Sequence, residues 1–448
     1  MELGRVRIAL LCSCLLLGID LPADPSVSIN SFANGQYSIE QRTFGPGVYL
    51  LEHSRDLEKW NPFGSPIDLG DPSASQITDR LSTSVARFYR LRLLPENIDE
   101  TRPFFLGFTP FPYDVTEDGL LFGYEAIRRD GDLVVQHFDD GIPWPEAYSG
   151  DDYKGYHPAY VQEWEARKAH TPAGHKVYLA ITPVSIARNS IAPYRGQSGD
   201  ESLPEGWENA TFTEDRVKTA FLNHAINAID FFVPDYLAIG IESNLLMALR
   251  SDLWQGYLEL HQFVFEALKE RYPELPIMVS LAGMDLVEGY TEANHSDQVK
   301  AFGDIMPFSD FFGISLYPFI SRFLANEIPD TLFDELFALS EKPIAITETG
   351  YPAQSLTFVA NGQTIDIQGA SQKQSDYFQG LLEASSSRNV VFIANFITRD
   401  YDDMADRIQL EGIDLLWRDT GFYDESGVER PVLQVWRSYL RKPVAPQN

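Results

Sequence analysis

Two stretches near the start of the chain alternate large apolar with polar residues: GVYLLEHSRDLEKW, residues 47–60, and SVARFYRLRLL, residues 84–94. Clusters of Gly, Pro, Asn and Asp separate them, and period-two alternation bounded by turn residues predicts short strands. Residues 26–97 therefore read as a small all-β, sandwich-like module. From Arg102 onward the pattern changes. Short continuous apolar runs alternate with longer segments of helical period such as LWQGYLELHQFVFEALKERYP, where apolar residues recur every three or four positions up to a proline stop. The runs are FFLGFTPF from Phe104, DLVVQHFDD from Asp132, KVYLAITPV from Lys176, DYLAIGIESN from Asp235, LPIMVSLAG from Leu275, FFGISLYPF from Phe311, KPIAITETG from Lys342 and NVVFIANFI from Asn389. Eight strand-then-helix units predict an α/β fold, a (β/α)₈ TIM barrel over residues 102–441. The runs are continuous because parallel barrel strands are covered on both faces.

Ahead of both regions lies a different pattern. Arg5 and Arg7 precede an apolar run from Ile8 to Ile19, too short to span a bilayer, and residues 1–23 read as a signal peptide. The expectation is a secreted protein, extracellular or periplasmic, whose maturation removes Cys12 and Cys14, the only cysteines of the chain. No other run approaches membrane-spanning length. Charge narrows the partners further: 35 basic against 65 acidic residues give a net charge of −30, which repels nucleic-acid phosphates and anionic lipid surfaces. A monomer is expected.

The barrel prediction gives the polar residues at the run ends a common address, because strand C-termini of this fold form one mouth where active sites are built. His137, Asp139 and Asp140 follow the second run, Glu242 and Asn244 the fourth, Tyr317 the sixth and Glu348 the seventh. Two carboxylates there suit the cleavage of a glycosidic bond, which needs one group to protonate the departing oxygen and another to attack or stabilise the oxocarbenium-like centre. Sugar rings also present apolar faces, so the loop aromatics Trp144 and Trp417, with Phe111 and Tyr113, are candidate platforms. LTFVANGQTIDIQ, residues 356–368, reads as a hairpin turning at Asn361-Gly362 beside the cleft. Other chemistries leave no matching signature. The eight histidines lack metal-ligand spacing, and neither a GxSxG elbow nor a phosphate-binding or dinucleotide glycine motif is present, so no metal and no cofactor is expected.

These residues carry a resemblance. Glutamates ending strands four and seven, a tyrosine ending strand six, and the strings ETGYP and ISLYPF resemble the retaining glycoside hydrolases of clan A, nearest to the endo-β-1,4-galactanase-like families. The resemblance covers residues 102–441, including the closing LWRDTGFYDESGVERPVLQVW. It implies that Glu348 is the nucleophile, Glu242 the acid/base and Tyr317 the hydroxyl that orients Glu348. It also implies a β-linked polysaccharide or oligosaccharide substrate, galactan or a similar β-glycan, cleaved by double displacement; His137, Asp139, Asn244, Trp144 and Trp417, from their places at the mouth, are the expected substrate-binding residues beside Tyr317. The N-terminal module resembles the immunoglobulin-like or fibronectin-like domains found beside secreted catalytic domains. One position departs from the family: Ile241 stands where an asparagine usually precedes the acid/base glutamate. A barrel that has kept a sugar cleft but lost efficient catalysis, and binds carbohydrate, is the alternative that this departure favours.

Overall fold

The computed structural model describes residues 101–322, 328–360 and 362–445, together with the backbone of seven short strand segments between Val27 and Leu93. Among those segments Val48–Ser54 pairs antiparallel with Phe88–Leu93, and Gln36–Gln41 with both Val27–Ser31 and Gln76–Arg80. The two alternating stretches of the sequence thus hydrogen-bond to each other as strands. The predicted leader, and the packing that would make the module a sandwich, lie outside the described residues.

The eight apolar runs form eight parallel strands that close on themselves. They are β1 (Phe105–Phe108), β2 (Leu133–Phe138), β3 (Lys176–Ile181), β4 (Tyr236–Ala238), β5 (Ile277–Ala282), β6 (Phe312–Leu316), β7 (Ile344–Thr349) and β8 (Val390–Asn395). Closure is made where β8 pairs with β1, Phe392 opposite Phe105. The two faces of these strands fill two cores. Inward side chains including Val135, Tyr178, Ala238, Met278, Ala345 and Phe392 pack together inside the barrel. Outward ones such as Val134, Leu179, Val279 and Ile346 pack against the surrounding helices. Helix Asp215–Phe232 illustrates the helical half: Val217, Ala220, Phe221, Ala225, Ala228 and Ile229 recur at three-to-four spacing and are all buried. Each large side chain so buried contributes about 1.5–3 kcal/mol.

Two features of this frame place the site. The first is a bulge near the end of β7, where Thr347 is an extra residue: Ile314 pairs with Ile346, but Ser315 pairs with Glu348. The register against β8 shifts over the same stretch. Bulges re-aim the side chains that follow them. Thr347 turns into the barrel and its hydroxyl meets that of Ser280 at 2.7 Å, while Glu348 is delivered to the mouth. The second is a seam between the loops that follow β2 and β3. Ile142 donates to Pro193 O at 2.9 Å, Arg195 to Ile142 O at 3.1 Å and Asp200 to Asp140 O at 2.7 Å. Gly141 sits at the crossing with φ +130°, and a Cβ there would lie 2.9 Å from Pro193 O. Only glycine lets the two loops approach this closely.

Candidate active site

Glu348 is the penultimate residue of β7, and two groups from the strand ends around the mouth hold it. His137, in β2, brings Nδ1 to 2.9 Å from Glu348 Oε1. Tyr317, one residue beyond β6, hydrogen-bonds the same carboxylate and is itself buried, with its hydroxyl held well above its ordinary pKa by burial and by the Glu348 and Glu242 charges. That phenol therefore stays a donor at any physiological pH. His137 turns its other nitrogen, Nε2, toward Asp139 Oδ2 at 3.4 Å. Burial disfavours charge on the ring, but Glu348 and Asp139 outweigh it and raise the imidazole to about 10. A cation thus lies against Glu348 at neutral pH.

Glu242 follows β4 in a different setting. Its backbone is left-handed, with φ +48°, a conformation that costs a non-glycine residue about 1–3 kcal/mol and persists where surrounding contacts impose it. Here Ser243 N donates to Ser280 O at 3.1 Å and Leu245 N to Glu242 O at 3.0 Å. The carboxylate accepts from Ser315 Oγ at 2.9 Å on one oxygen and from Arg188 Nη2 at 3.3 Å on the other. Burial pushes this carboxyl above its usual range, and the Glu348 charge adds to the rise against the pull of Arg188 and Ser315. A raised acid beside a carboxylate held by a cation and a phenol is the division of labour that protonating a leaving group and attacking a sugar carbon require.

Arg188 joins the halves. It lies in the loop after β3, nearly buried, and the same Nη2 that reaches Glu242 lies 3.5 Å from Asp139 Oδ2. Burial alone would raise Asp139, but His137 and Arg188 hold it well below the ordinary carboxylate range. The result is a chain of alternating charge, Glu242–Arg188–Asp139–His137–Glu348. Neither Arg188 nor Ser315 was singled out in the sequence. The signal that could have found Arg188 is a basic residue shortly after the third strand of a strongly acidic chain. Ser315 could have been found as a hydroxyl near the end of β6, two residues before Tyr317.

Of the residues expected at the site, Glu242, Glu348, Tyr317, His137 and Asp139 come together. Trp417 joins them, half-buried, with its ring edge-on to Tyr317 at 6.0 Å between centroids. Two expected residues do not. Trp144 is fully enclosed, with Nε1 donating to Ala192 O at 3.0 Å and its ring stacked on Trp207, so it props the β2–β3 loop seam and presents no face to a sugar. Asn244 is also enclosed. Its amide donates to Ala282 O and Gln298 Oε1 and its carbonyl accepts from Ala282 N, which ties β5 to helix His295–Ile305 and leaves no free polar atom for a substrate. Ile241 belongs to the barrel-interior core and is 1% exposed. Phe111 packs on Phe396 and Tyr401, and Arg399 covers the ring of Tyr113 at 3.6 Å. Away from this centre, Asp400, Asp402 and Asp419 bring ligand-type oxygens within 4.8 Å of one another. Arg430 clamps Asp400 at 2.7 and 2.6 Å, and Arg418 pairs with both Asp402 and Asp419, so each of these carboxylates meets a guanidinium group.

No family model and no curated protein matches the chain. Comparison with solved structures returns glycoside hydrolases. They include the GH5_18 protein of Bifidobacterium longum subsp. infantis, at 14% identity over 78% of this chain and 82% of that one, with a TM-score of 0.52. The GH5_18 protein of Streptomyces cattleya, solved with Manβ1-4GlcNAc, aligns at 12% identity over 76% of this chain and 80% of its own, TM-score 0.51. A fungal β-1,4-galactanase aligns at 18% identity over 71% and 91%, TM-score 0.43. At such identities the likeness to the two GH5_18 proteins establishes the barrel fold alone.

Proposed function

We propose that this chain is a retaining glycoside hydrolase, exported from the cell, that cleaves a β-linked polysaccharide or oligosaccharide. Glu348 is the nucleophile, Glu242 the acid/base, Tyr317 and His137 orient and charge-stabilise Glu348, and Trp417 supplies an apolar edge for a sugar ring beside them. The observation that carries the reading is the different setting of two neighbouring carboxylates: burial and a like charge keep Glu242 ready to hold a proton, while His137 Nδ1, at 2.9 Å, and the Tyr317 hydroxyl grip Glu348. Among the solved structures that share the fold, one is named an exo-β-1,4-mannosidase and another was solved with Manβ1-4GlcNAc, which agrees with the reading.

In the reaction so assigned, Glu242 protonates the glycosidic oxygen as Glu348 Oε attacks the anomeric carbon, forming a glycosyl ester and releasing the leaving group. Glu242, now a carboxylate, takes a proton from water, which attacks the same carbon and frees Glu348. The anomeric configuration is inverted twice and therefore retained. The test is a reducing-sugar screen of the protein on β-1,4-galactan, β-glucan, β-mannan and xylan, with proton NMR of the first-formed anomer. Release of the β-anomer from at least one polymer supports the assignment. An α-anomer as first product, or cleavage of α-linked polymers alone, overturns it.

A further inference from the structure

We propose that Asp139 is a positioning residue that bridges the two ends of the catalytic machinery, holding His137 against Glu348 and Arg188 against Glu242, and that it does not bind substrate. The inference rests on the hydrolase reading for its effect on turnover, but the bridge itself is a matter of geometry. Asp139 Oδ2 faces His137 Nε2 at 3.4 Å and Arg188 Nη2 at 3.5 Å, and each of these cations also meets one catalytic carboxylate. Without Asp139 the mouth would hold Arg188 and His137 with no anion between them. The two like charges would then be free to swing toward whichever carboxylate or solvent path lay nearest.

The surroundings make this bridge rigid. Asp139 sits in the loop after β2 and Arg188 in the loop after β3, the two loops that the Gly141 seam fastens together. Arg188 itself has a left-handed backbone, φ +53°, and its Nη1 donates to Ser185 O within its own loop. The next carboxylate, Asp140, points the other way and pairs with Arg195 at 3.1 Å, so the two adjacent aspartates serve two different arginines. The side chains of His137 and Asp139 are only 14% and 20% exposed, and Asp139's contacts are to protein cations.

The charged and polar groups around each end set the expected effect. Glu242 faces Arg188, Ser315, Glu348 and Tyr317; Glu348 faces His137, Tyr317, Tyr178 and Arg188; His137 faces Glu348 and Asp139; and Asp139 faces His137 and Arg188, with Asp140 and Asp200 nearby. Replacing Asp139 by asparagine removes one anion from Arg188, whose full charge then bears on Glu242 and draws off its proton at lower pH. It also removes one of the two carboxylates that keep His137 protonated. Both changes act on the alkaline side of the pH-activity profile, and neither acts on the acid side, where His137 keeps its proton in either protein.

The experiment compares wild type with D139N, and reads activity on the polymer found by the screen as well as the histidine ring signals by nitrogen-15 NMR. The His137 signal is the one absent from H137Q. In wild type the ring stays doubly protonated past about pH 8. In D139N its titration moves down by about one pH unit or more, the alkaline limb of kcat/KM follows in the same direction, and the acid limb stays in place. A residue that only supports the fold would lower activity at every pH and leave both limbs where they were. Unmoved limbs together with an unmoved His137 titration overturn the proposal, as does a KM that rises with kcat unchanged, which marks a substrate contact. Should D139N fail to fold, the wild-type ring decides: titration near 6.5 means that no carboxylate pair holds it. A wild type that cleaves none of the polymers counts against the hydrolase reading alone, since the ring titration still tests the bridge.

Discussion

The barrel holds buried clusters of alternating charge at both ends, and they differ in one respect. At the end opposite the mouth, Asp130 closes helix Glu117–Asp130 just before β2 begins. It receives Arg129 at 3.0 Å, Arg437 at 2.8 Å and the Tyr423 hydroxyl at 2.5 Å, while Arg437 also meets Glu429 at 2.9 Å. Two carboxylates face two guanidinium groups, Asp130 is 1% exposed, and the first helix is pinned to the last, Val432–Leu440. At the mouth, three carboxylates, Asp139, Glu242 and Glu348, share two cations, and the side chains of Glu242 and Glu348 are 21% and 11% exposed. A balanced cluster is a fastening. An unbalanced one whose carboxylates stay partly exposed at the mouth has a proton and an electron pair to offer.

The sharpest way to break this contrast is to remove the nucleophile. Glu348→Ala should lower turnover by about ten-thousandfold or more while the protein still folds and retains polysaccharide in affinity electrophoresis, and azide should restore part of the cleavage with a product of inverted configuration. Turnover unchanged in this variant would remove Glu348 from the mechanism. Glu242→Ala comes next, with a loss of about a hundred- to ten-thousandfold on the polymer. The loss should be far smaller on an aryl glycoside with a good leaving group, which needs no protonation to depart. Equal losses on the two substrates would contradict an acid role for Glu242.

The opposite cluster should respond in stability and not in turnover. Asp130→Asn leaves Arg129 and Arg437, both partly exposed, without their shared anion, though Arg437 keeps Glu429, and should destabilise the protein by about 1–3 kcal/mol, read from the denaturant midpoint, with kcat per folded molecule unchanged. The pH dependence has a definite sign. Burial would raise the Asp130 carboxyl, but Arg129 and Arg437 hold it below its ordinary value. Its contribution is therefore fully present above the unfolded-state value, about 3.9, and is lost as pH falls through the lower folded-state value. The gap between wild type and D130N should be constant at neutral pH and close in acid. A fall in kcat at neutral pH would mean that the two clusters are coupled through the barrel.

Much of this arrangement was legible in the sequence, for a reason that also marks where legibility ends. All eight apolar runs became the eight strands, because burial on both faces keeps most strand positions apolar. Glu242, Glu348, Tyr317, His137 and Asp139 could be read as neighbours because closing a parallel barrel brings its strand ends to one mouth. Arg188 could not, since its place depends on a long loop without period whose path is set by the Gly141 seam. Trp144 and Asn244 mark the complementary failure. A residue type and a position after a strand do not say which way a side chain turns, and both turn into the protein to fasten loops and helices. Trp417, chosen on the same grounds, turns toward Tyr317.

The last prediction concerns the one position where the chain departs from the resemblance. Ile241 immediately precedes Glu242, but its side chain lies in the barrel interior with Ala238, Met278 and Phe392, while the left-handed backbone at Glu242 turns the carboxylate to the mouth. An asparagine introduced here would enter an apolar core before it could reach a substrate. Ile241→Asn should therefore cost about 1–3 kcal/mol of stability, the penalty for an amide buried without partners, and should leave kcat/KM on the polymer no higher than in wild type. The pairing of a denaturant midpoint with kcat/KM separates the two explanations of the departure. A drop in stability without a gain in activity makes Ile241 part of the fastening that shapes Glu242. A gain in kcat/KM at unchanged stability would mean that the backbone can present this side chain to the sugar, and that the missing amide is what limits catalysis.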